Sequence, residues 1–153
     1  MNVDKHLHKI ILEQVQICCA VNIENGLPSP YKVSKGQMNH PLTKWIRSSF
    51  SNFLWIVDNI YALHEEWKFR YDHSSERKHR SLEIFESMET PYRMPELGLT
   101  PIPKCMGVQF QVENEPNSLI PVRSYKKYYL EGKTHLFSWT KREVPEFILK
   151  GEY

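Results

Sequence analysis

The sequence predicts a mostly α protein. It should be a compact single-domain helical bundle over residues 1–153, with a proline-rich wrapping loop over 90–120 and at most one short strand pair. Three observations lead there. Two long segments repeat their apolar residues at helical spacing, the prolines gather in one stretch, and the only alternating segment is "VQFQV" at 108–112. A composition of 41% hydrophobic and 25% charged residues suits a folded globular chain rather than a disordered one.

The first helix runs from about Asp4 to residue 22. At 100° per residue, Leu7, Ile10, Ile11, Val15, Ile17, Cys18 and Val21 form a broad apolar arc that also takes in Gln14. Lys5, Lys9, Gln16 and Ala20 lie opposite, and His6 and Glu13 sit on the border. Asp4 is placed to cap the helix, and Asn25-Gly26 ends it. "LPSPYKVSKGQ" then reads as a loop. Pro41 suits a first helical turn, with Asn39 or His40 as cap. A longer helix follows over 50–71, started by Ser48-Ser49 or Ser51, with Phe53, Ile56, Val57, Ile60, Leu63 and Trp67 in the core.

Ser74-Ser75 is expected to cap a further helix through Met88, burying Leu82 and Phe85 and exposing Arg77, Lys78 and Arg80. Seven of the ten prolines come later, at 91, 95, 101, 103, 116, 121 and 145. "VRSYKKYYLEG" reads as a helix stopped by Gly132. "THLFSW" gives a short helical turn and "PEFILK" a terminal docking segment.

Several function classes are excluded. The longest apolar run, "FLWIVDNIYAL", is broken by Asp58 and Asn59 and falls short of the ~20 residues of a membrane span. The N-terminus mixes acidic, basic and histidine residues, unlike a signal peptide. Cys18, Cys19 and Cys105 make an odd set without a CxxC pair. They are expected to be small core residues in a reducing compartment, the cytoplasm. The chain has no HExxH, P-loop, GxSxG or GxGxxG motif. His6 and His8, two apart on a helix, diverge too far to share a metal, so no metal or cofactor is implied.

Net charge is only +2, but cations cluster in "KHR" (78–80), "RSYKK" (123–127) and "TKR" (140–142). A local basic face can bind phosphate even on a nearly neutral chain. His6, Lys9 and Glu13 share one stripe of the first helix, where a carboxylate on an apolar border can act in proton transfer and a neighbouring amine as nucleophile. An ion pair at the core margin would account for the same residues. Asn39, His40, Arg47, Asn52, Arg70 and His79 are candidates for phosphate contact or for capping and structural pairing. Tyr125, Lys126, Tyr129, Lys133 and Trp139 interleave aromatics with lysines, a composition that serves stacked bases flanked by phosphates, or packing.

The order "DKHLHKIILE", "NHPLTKWIRSSFSNFLWIVDNIY", "KFRY" resembles the phage pyrimidine-dimer DNA glycosylases of the small helical endonuclease V type. Glu13 falls where that family keeps its catalytic carboxylate, and His6 matches a histidine of the same helix. "YKKYYLEGK" is similar to the family's aromatic, lysine-bearing tail. Over most of positions 4–148 the chain is closer still to an uncharacterised phage and bacterial branch. Its pattern takes in Asp4-Lys5-His6, Lys9, Glu13, Asn39-His40-Pro41, Trp45, Arg47, Ser49, Asn52, Arg70-Tyr71, the "TPIP" loop, "YKKYY" and "WTKREVP".

The resemblance implies a helical fold acting on an extruded damaged or modified base, in the cytoplasm of a bacterial host if phage-encoded. In that family an N-terminal amine attacks the sugar C1′ and a Schiff base follows. Here Met1-Asn2-Val3 leads directly into Asp4, which leaves three alternatives: the sequence starts late, Lys5 or Lys9 substitutes as the amine, or the chemistry differs. The resemblance makes Glu13 the acid/base and His6 its orienting partner. The expected function is therefore a DNA N-glycosylase/lyase. The alternatives are a non-catalytic nucleic-acid-binding module, or an enzyme on free nucleotides or modified bases. The expected partner is DNA or a nucleotide, with a protein as the alternative partner of a non-catalytic binding module.

Overall fold

In the computed structural model, which describes residues 2–115 and 119–153, seven α-helices and no strand are found among the described residues. Pro116 and the rest of 116–118 lie outside them. The helices are α1 (Asp4–Glu24), α2 (Lys35–Asn39), α3 (Pro41–Arg47), α4 (Phe50–Arg70), α5 (Arg80–Glu86), α6 (Val122–Gly132) and α7 (Glu146–Lys150). The mostly α expectation holds.

α1 is the central rod. Its Leu7, Ile11, Val15, Cys18 and Val21 meet Phe53, Ile56, Ile60 and Leu63 of α4, Trp45 and Ile46 of α3, and Leu82 of α5 in one apolar cluster. Of the broad arc predicted from sequence, Leu7, Ile11, Gln14, Val15, Cys18 and Val21 are buried and Ile10 and Ile17 partly so. Ala20 departs from expectation: assigned to the polar side, it is fully buried. The reason is α2, an element the sequence reading assigned to a loop. Its Gln37 reaches Gln16 of α1 at 3.2 Å, so the far side of α1 is covered at its C-terminal half. α2 has a local signature: Ser34 accepts from the Gln37 N–H, and the Gln37 side chain accepts from the Ser34 N–H.

Two further corrections concern element starts. The helix expected from Ser74 begins at Arg80, capped by His79, whose Nδ1 accepts from the Ser81 N–H. Asp72 holds a left-handed backbone (φ 54°) just after α4, and the chain turns there instead of continuing helical. "VQFQV" is not a strand. Residues 108–110 form one 3₁₀ turn, because alternation yields a strand only where a second edge is available to pair with it.

The proline-rich segment wraps the α3–α4 corner, and Asn52 is the clasp. Its Nδ2 donates to Trp45 O (2.9 Å) and Thr100 Oγ1 (2.9 Å), while its Oδ1 accepts from the Thr100 N–H (3.0 Å). Leu97 N–H donates to Ser49 Oγ, and the Trp45 indole to Thr100 O. A proline-spaced chain has few internal backbone bonds, so it borrows its partners from the helices it covers.

Candidate functional site

The site expected on α1 depends first on how that helix begins. Asp4 is not its cap. Val3 holds the cap position without a side-chain bond, and the Asp4 carboxylate turns away into a buried network. It accepts from Ser138 Oγ (2.7 Å), Thr140 Oγ1 (2.9 Å), the Thr140 N–H (2.9 Å) and Arg70 Nη1 (3.0 Å). Burial by itself would raise this carboxyl's pKa, but the Ser138, Thr140 and Arg70 hydrogen bonds outweigh it and hold it below the ordinary value.

Arg70, only 4% exposed, is the pivot. It also donates to Asn2 O (2.8 Å) and to Glu66 Oε1 (2.7 Å), and Arg142 closes on Glu66 from outside at 2.6 Å. The Arg142 hydrogen bond, supported by Arg70, holds the Glu66 carboxyl at about 2. The expectation that Arg70 contacts phosphate is thereby corrected: its guanidinium is consumed internally.

Anchored this way, α1 presents His6 to α6. His6 Nδ1 lies 3.2 Å from the Tyr129 hydroxyl, and the rings meet edge-on at 84°. The phenol donates to Asn2 Oδ1 at 3.3 Å. His6 Nδ1 bonds the same hydroxyl, with the proton on either group according to the imidazole tautomer, and among the described residues Nε2 has no hydrogen-bond partner. Burial, then the charges of Lys133 and Lys9, push the imidazole below its ordinary pKa, with Glu13 opposing in part. Burial raises the Tyr129 phenol.

α6 is set against this point by its own cap. The Glu115 carboxylate accepts from the Arg123 N–H (2.7 Å) and the Ser124 N–H (3.1 Å), taking up two unpaired donors of the first turn. Lys126, Tyr129 and Lys133 then follow at i, i+3 and i+7, on one face. Gly132 matters here for proximity. A Cβ at that position would stand 3.0 Å from the Phe110 ring and 3.2 Å from Tyr128, so glycine lets α6 close on the 108–110 turn. Lys133 spans the Tyr128 ring at 5.0 Å, and Lys126 spans Phe147 at 5.6 Å.

Glu13 and Lys9 stand beside this cluster but are not enclosed. Their side chains are 51% and 64% exposed, and the carboxylate and ammonium lie 3.6 Å apart as an i,i+4 pair. Lys5 is also exposed. Of the two readings of this stripe, proton transfer or an ion pair at the core margin, the geometry is that of a solvated ion pair. The flanking Ile10 and Ile17 are only partly buried, so the apolar border itself reaches the surface. The surface is concave elsewhere. One cavity of about 500 Å³ is lined by Glu65, Lys68, Phe69, Asp72, His73, Ser75 and Lys141. A second, of about 430 Å³, runs along α4 and α5. Glu13 borders neither.

The other candidates are dispersed over separate joints. Asn39 donates to Lys35 O of its own helix, and His40 caps α3 by accepting from the Leu42 N–H. Arg47 pairs with Glu24 at 2.6 Å, tying α3 to the end of α1. Asn52 is fully buried and its contacts are internal, so it is withdrawn from the phosphate set. His79 caps α5 and donates its own N–H to His64 Nε2. Tyr125 approaches Pro103 O at 3.4 Å, and burial lifts its phenol to about 12. Trp139 packs on Phe137, with its indole N–H buried and, among the described residues, unpartnered. The structure thus assembles His6, Lys9, Glu13, Tyr129 and Lys133, places Lys126 one turn before Tyr129 over Phe147, and leaves the remainder outside.

Asn2, Glu66, Ser138 and Thr140 organise this region without having been singled out. The contacts of Asn2, Ser138 and Thr140 with Arg70, Asp4 and Tyr129 span 68 to 136 positions and no local pattern announces them, whereas Glu66 stands four residues before Arg70 on the same helix. Among the described residues no set of three or more histidine, cysteine or acidic side chains is placed to hold a metal ion, and no helix is long and apolar enough to cross a membrane. Comparison of the chain with protein-family profiles, curated proteins and solved structures found no match.

Proposed function

We propose that this protein binds nucleic acid along the seam of α1 and α6. One observation carries the reading: Lys9 of α1 and Lys133 just after α6 both act on the same imidazole, His6, which rests on the Tyr129 hydroxyl. Lys126 continues the cationic face, and Lys5 lies one turn from Lys9. Lysines gathered from distant parts of a chain around a polar aromatic group suit a phosphate backbone, which needs neutralisation more than a deep pocket. The open nitrogen of His6 and the exposed Glu13 can meet sugar or base edges at the same seam.

Binding should weaken steeply with salt. Fluorescence anisotropy with labelled duplex and single-stranded DNA over a range of salt concentrations measures this. Lys9→Ala and Lys133→Ala should each reduce the slope of log affinity against log salt by about one. Salt-independent binding, or affinity unchanged in the double variant, would overturn the proposal.

A second reading keeps the base-excision chemistry. It is favoured by the amine of Lys9 lying 3.6 Å from the carboxylate of Glu13 beside His6. Lys9 and Glu13 lie exposed, with no pocket beside them to enclose a reacting sugar, so binding without catalysis is the stronger reading. Borohydride treatment on duplex DNA containing damaged or abasic sites separates the two. A covalent adduct lost in Lys9→Ala establishes the lyase reading; no adduct leaves the binding reading standing alone.

A further inference from the structure

α4 has more apolar surface than the core uses. Phe53, Ile56, Ile60 and Leu63 are buried, and a second stripe runs beside them through Leu54, Val57 and Tyr61 at i, i+3 and i+7. Phe85 and Met88, from α5 and the segment after it, face that stripe and close a groove of about 430 Å³, with Tyr92 at its mouth. Leu54 is 43% exposed, Tyr61 42% and Tyr92 79%. Leaving this much aromatic and aliphatic surface in water is costly unless something covers it.

The charged residues that line the groove are acidic, and one cation, Lys78, reaches them from outside. The lining contains Glu86 and Glu89 and no lysine or arginine. Asp58 borders the other side, four residues from Leu54 and three from Tyr61, and Glu83 lies one turn before Glu86. Among the described residues, the side chains of Asp58 and Glu89 have no ion-pair or hydrogen-bond partner. The rim already accepts one ammonium group, because Lys78 reaches Glu86 at 2.7 Å. From Phe50 to Tyr61 the stripe is roughly 16 Å long, about three helical turns.

We propose that this groove is the docking surface for a basic amphipathic helix of a partner protein. Apolar residues at i, i+3 or i+4, and i+7 of the partner would enter between Leu54, Tyr61 and Phe85, and its lysines or arginines would pair with Asp58 and Glu89. Methionine and aromatic side chains adapt to such anchors, and the acidic rim selects basic helices and rejects acidic ones. Nucleic acid is repelled by the same rim. This surface lies on α4 and α5, apart from the α1–α6 seam, and its test does not depend on DNA binding.

The experiment titrates the full chain with two fluorescein-labelled 18-residue amphipathic helices of identical apolar pattern, one leucine–lysine and one leucine–glutamate, and follows anisotropy. The leucine–lysine peptide should bind and the leucine–glutamate peptide should not. Leu54→Asp should weaken binding at least tenfold. Asp58→Lys with Glu89→Lys, which breaks no ion pair within the chain, should do the same while leaving the circular dichroism spectrum unchanged. Equal binding of both peptides would overturn the proposal, as would affinity unchanged in Leu54→Asp. Displacement of the peptide by duplex DNA would also overturn it. So would a sedimentation result in which the protein is a dimer that Leu54→Asp dissociates, since the groove would then be filled by a second copy.

Discussion

Asp4 and Glu13 are two carboxylates on one helix, and their environments are opposite. Asp4 is buried against Arg70, Ser138 and Thr140, with its hydrogen-bonding capacity taken up. Glu13 is half exposed and pairs with Lys9 of its own helix. Sequence reasoning put the chemical weight on Glu13 and gave Asp4 a local capping role. The structure makes Asp4 the constrained group. A carboxylate whose partner sits one turn away can be read along the chain, whereas one whose partners sit 66 and 136 positions away cannot.

The sharpest way to break this contrast is to remove each carboxylate in turn. Asp4→Ala takes from a buried guanidinium one of its two carboxylates, leaves the Ser138 and Thr140 donors unpaired and releases the 138–140 segment, so it should cost on the order of 3 kcal/mol and lower Tm on the order of 10 °C. A thermal melt followed by circular dichroism measures it, and a shift of a degree or less would show that the network is not a structural latch.

Acid sharpens the same contrast. Asp4 and Glu66 are both held below their ordinary pKa, Glu66 at about 2 against an ordinary 4.5. Their stabilisation is therefore complete above the unfolded values and drains away as pH falls from about 4.5 toward 2. Glu66→Gln should flatten the stability profile over that interval, as denaturant titrations at successive pH values would reveal.

A smaller effect belongs to histidine. Burial, together with His8 and His64, lowers the His79 imidazole, and burial with Lys133 and Lys9 lowers His6. The unfolded chain takes up these protons first, so stability should fall as pH drops through 6.5, the opposite of a histidine stabilised by a carboxylate. His79→Asn keeps a capping side chain for α5 and removes the titration, so its Tm should vary less than the parent's between pH 7 and pH 5.5. Equal variation in both proteins would exclude His79 as the source.

The smallest effect is expected at Glu13 itself. An exposed i,i+4 pair contributes about 0.3–0.5 kcal/mol, so Glu13→Gln should move Tm by no more than a degree or two. A large loss would mean that Glu13 has a buried role, contrary to its exposure.

The architecture was largely legible along the chain. α1 and α4 are long enough for their apolar period to stand out, Pro41 marks the start of α3, and Pro121 and Gly132 bracket α6. α2 had a visible capping-box signature in "SKGQ", and only its shortness hid it. The start of α5 was misplaced because Ser74-Ser75 has the right chemistry for a cap, but the turn at Asp72 delays the helix to His79.

The candidate site was half legible. His6, Lys9 and Glu13 share a stripe by helical geometry, and Lys126, Tyr129 and Lys133 share another for the same reason. That these two stripes meet at one imidazole was decided by packing.

By itself, then, the sequence determined the helices, the apolar face of α1 and the two polar stripes, because each depends on residues one or two turns apart. Only the tertiary structure decided which polar groups became internal. Arg70 and Asn52 look as available as Lys9 or Lys133 when read in line, yet the loops folding over them withdraw them from water. Whether an ionisable side chain contacts solvent or the protein interior depends on which distant segment covers it, and no local spacing encodes that cover.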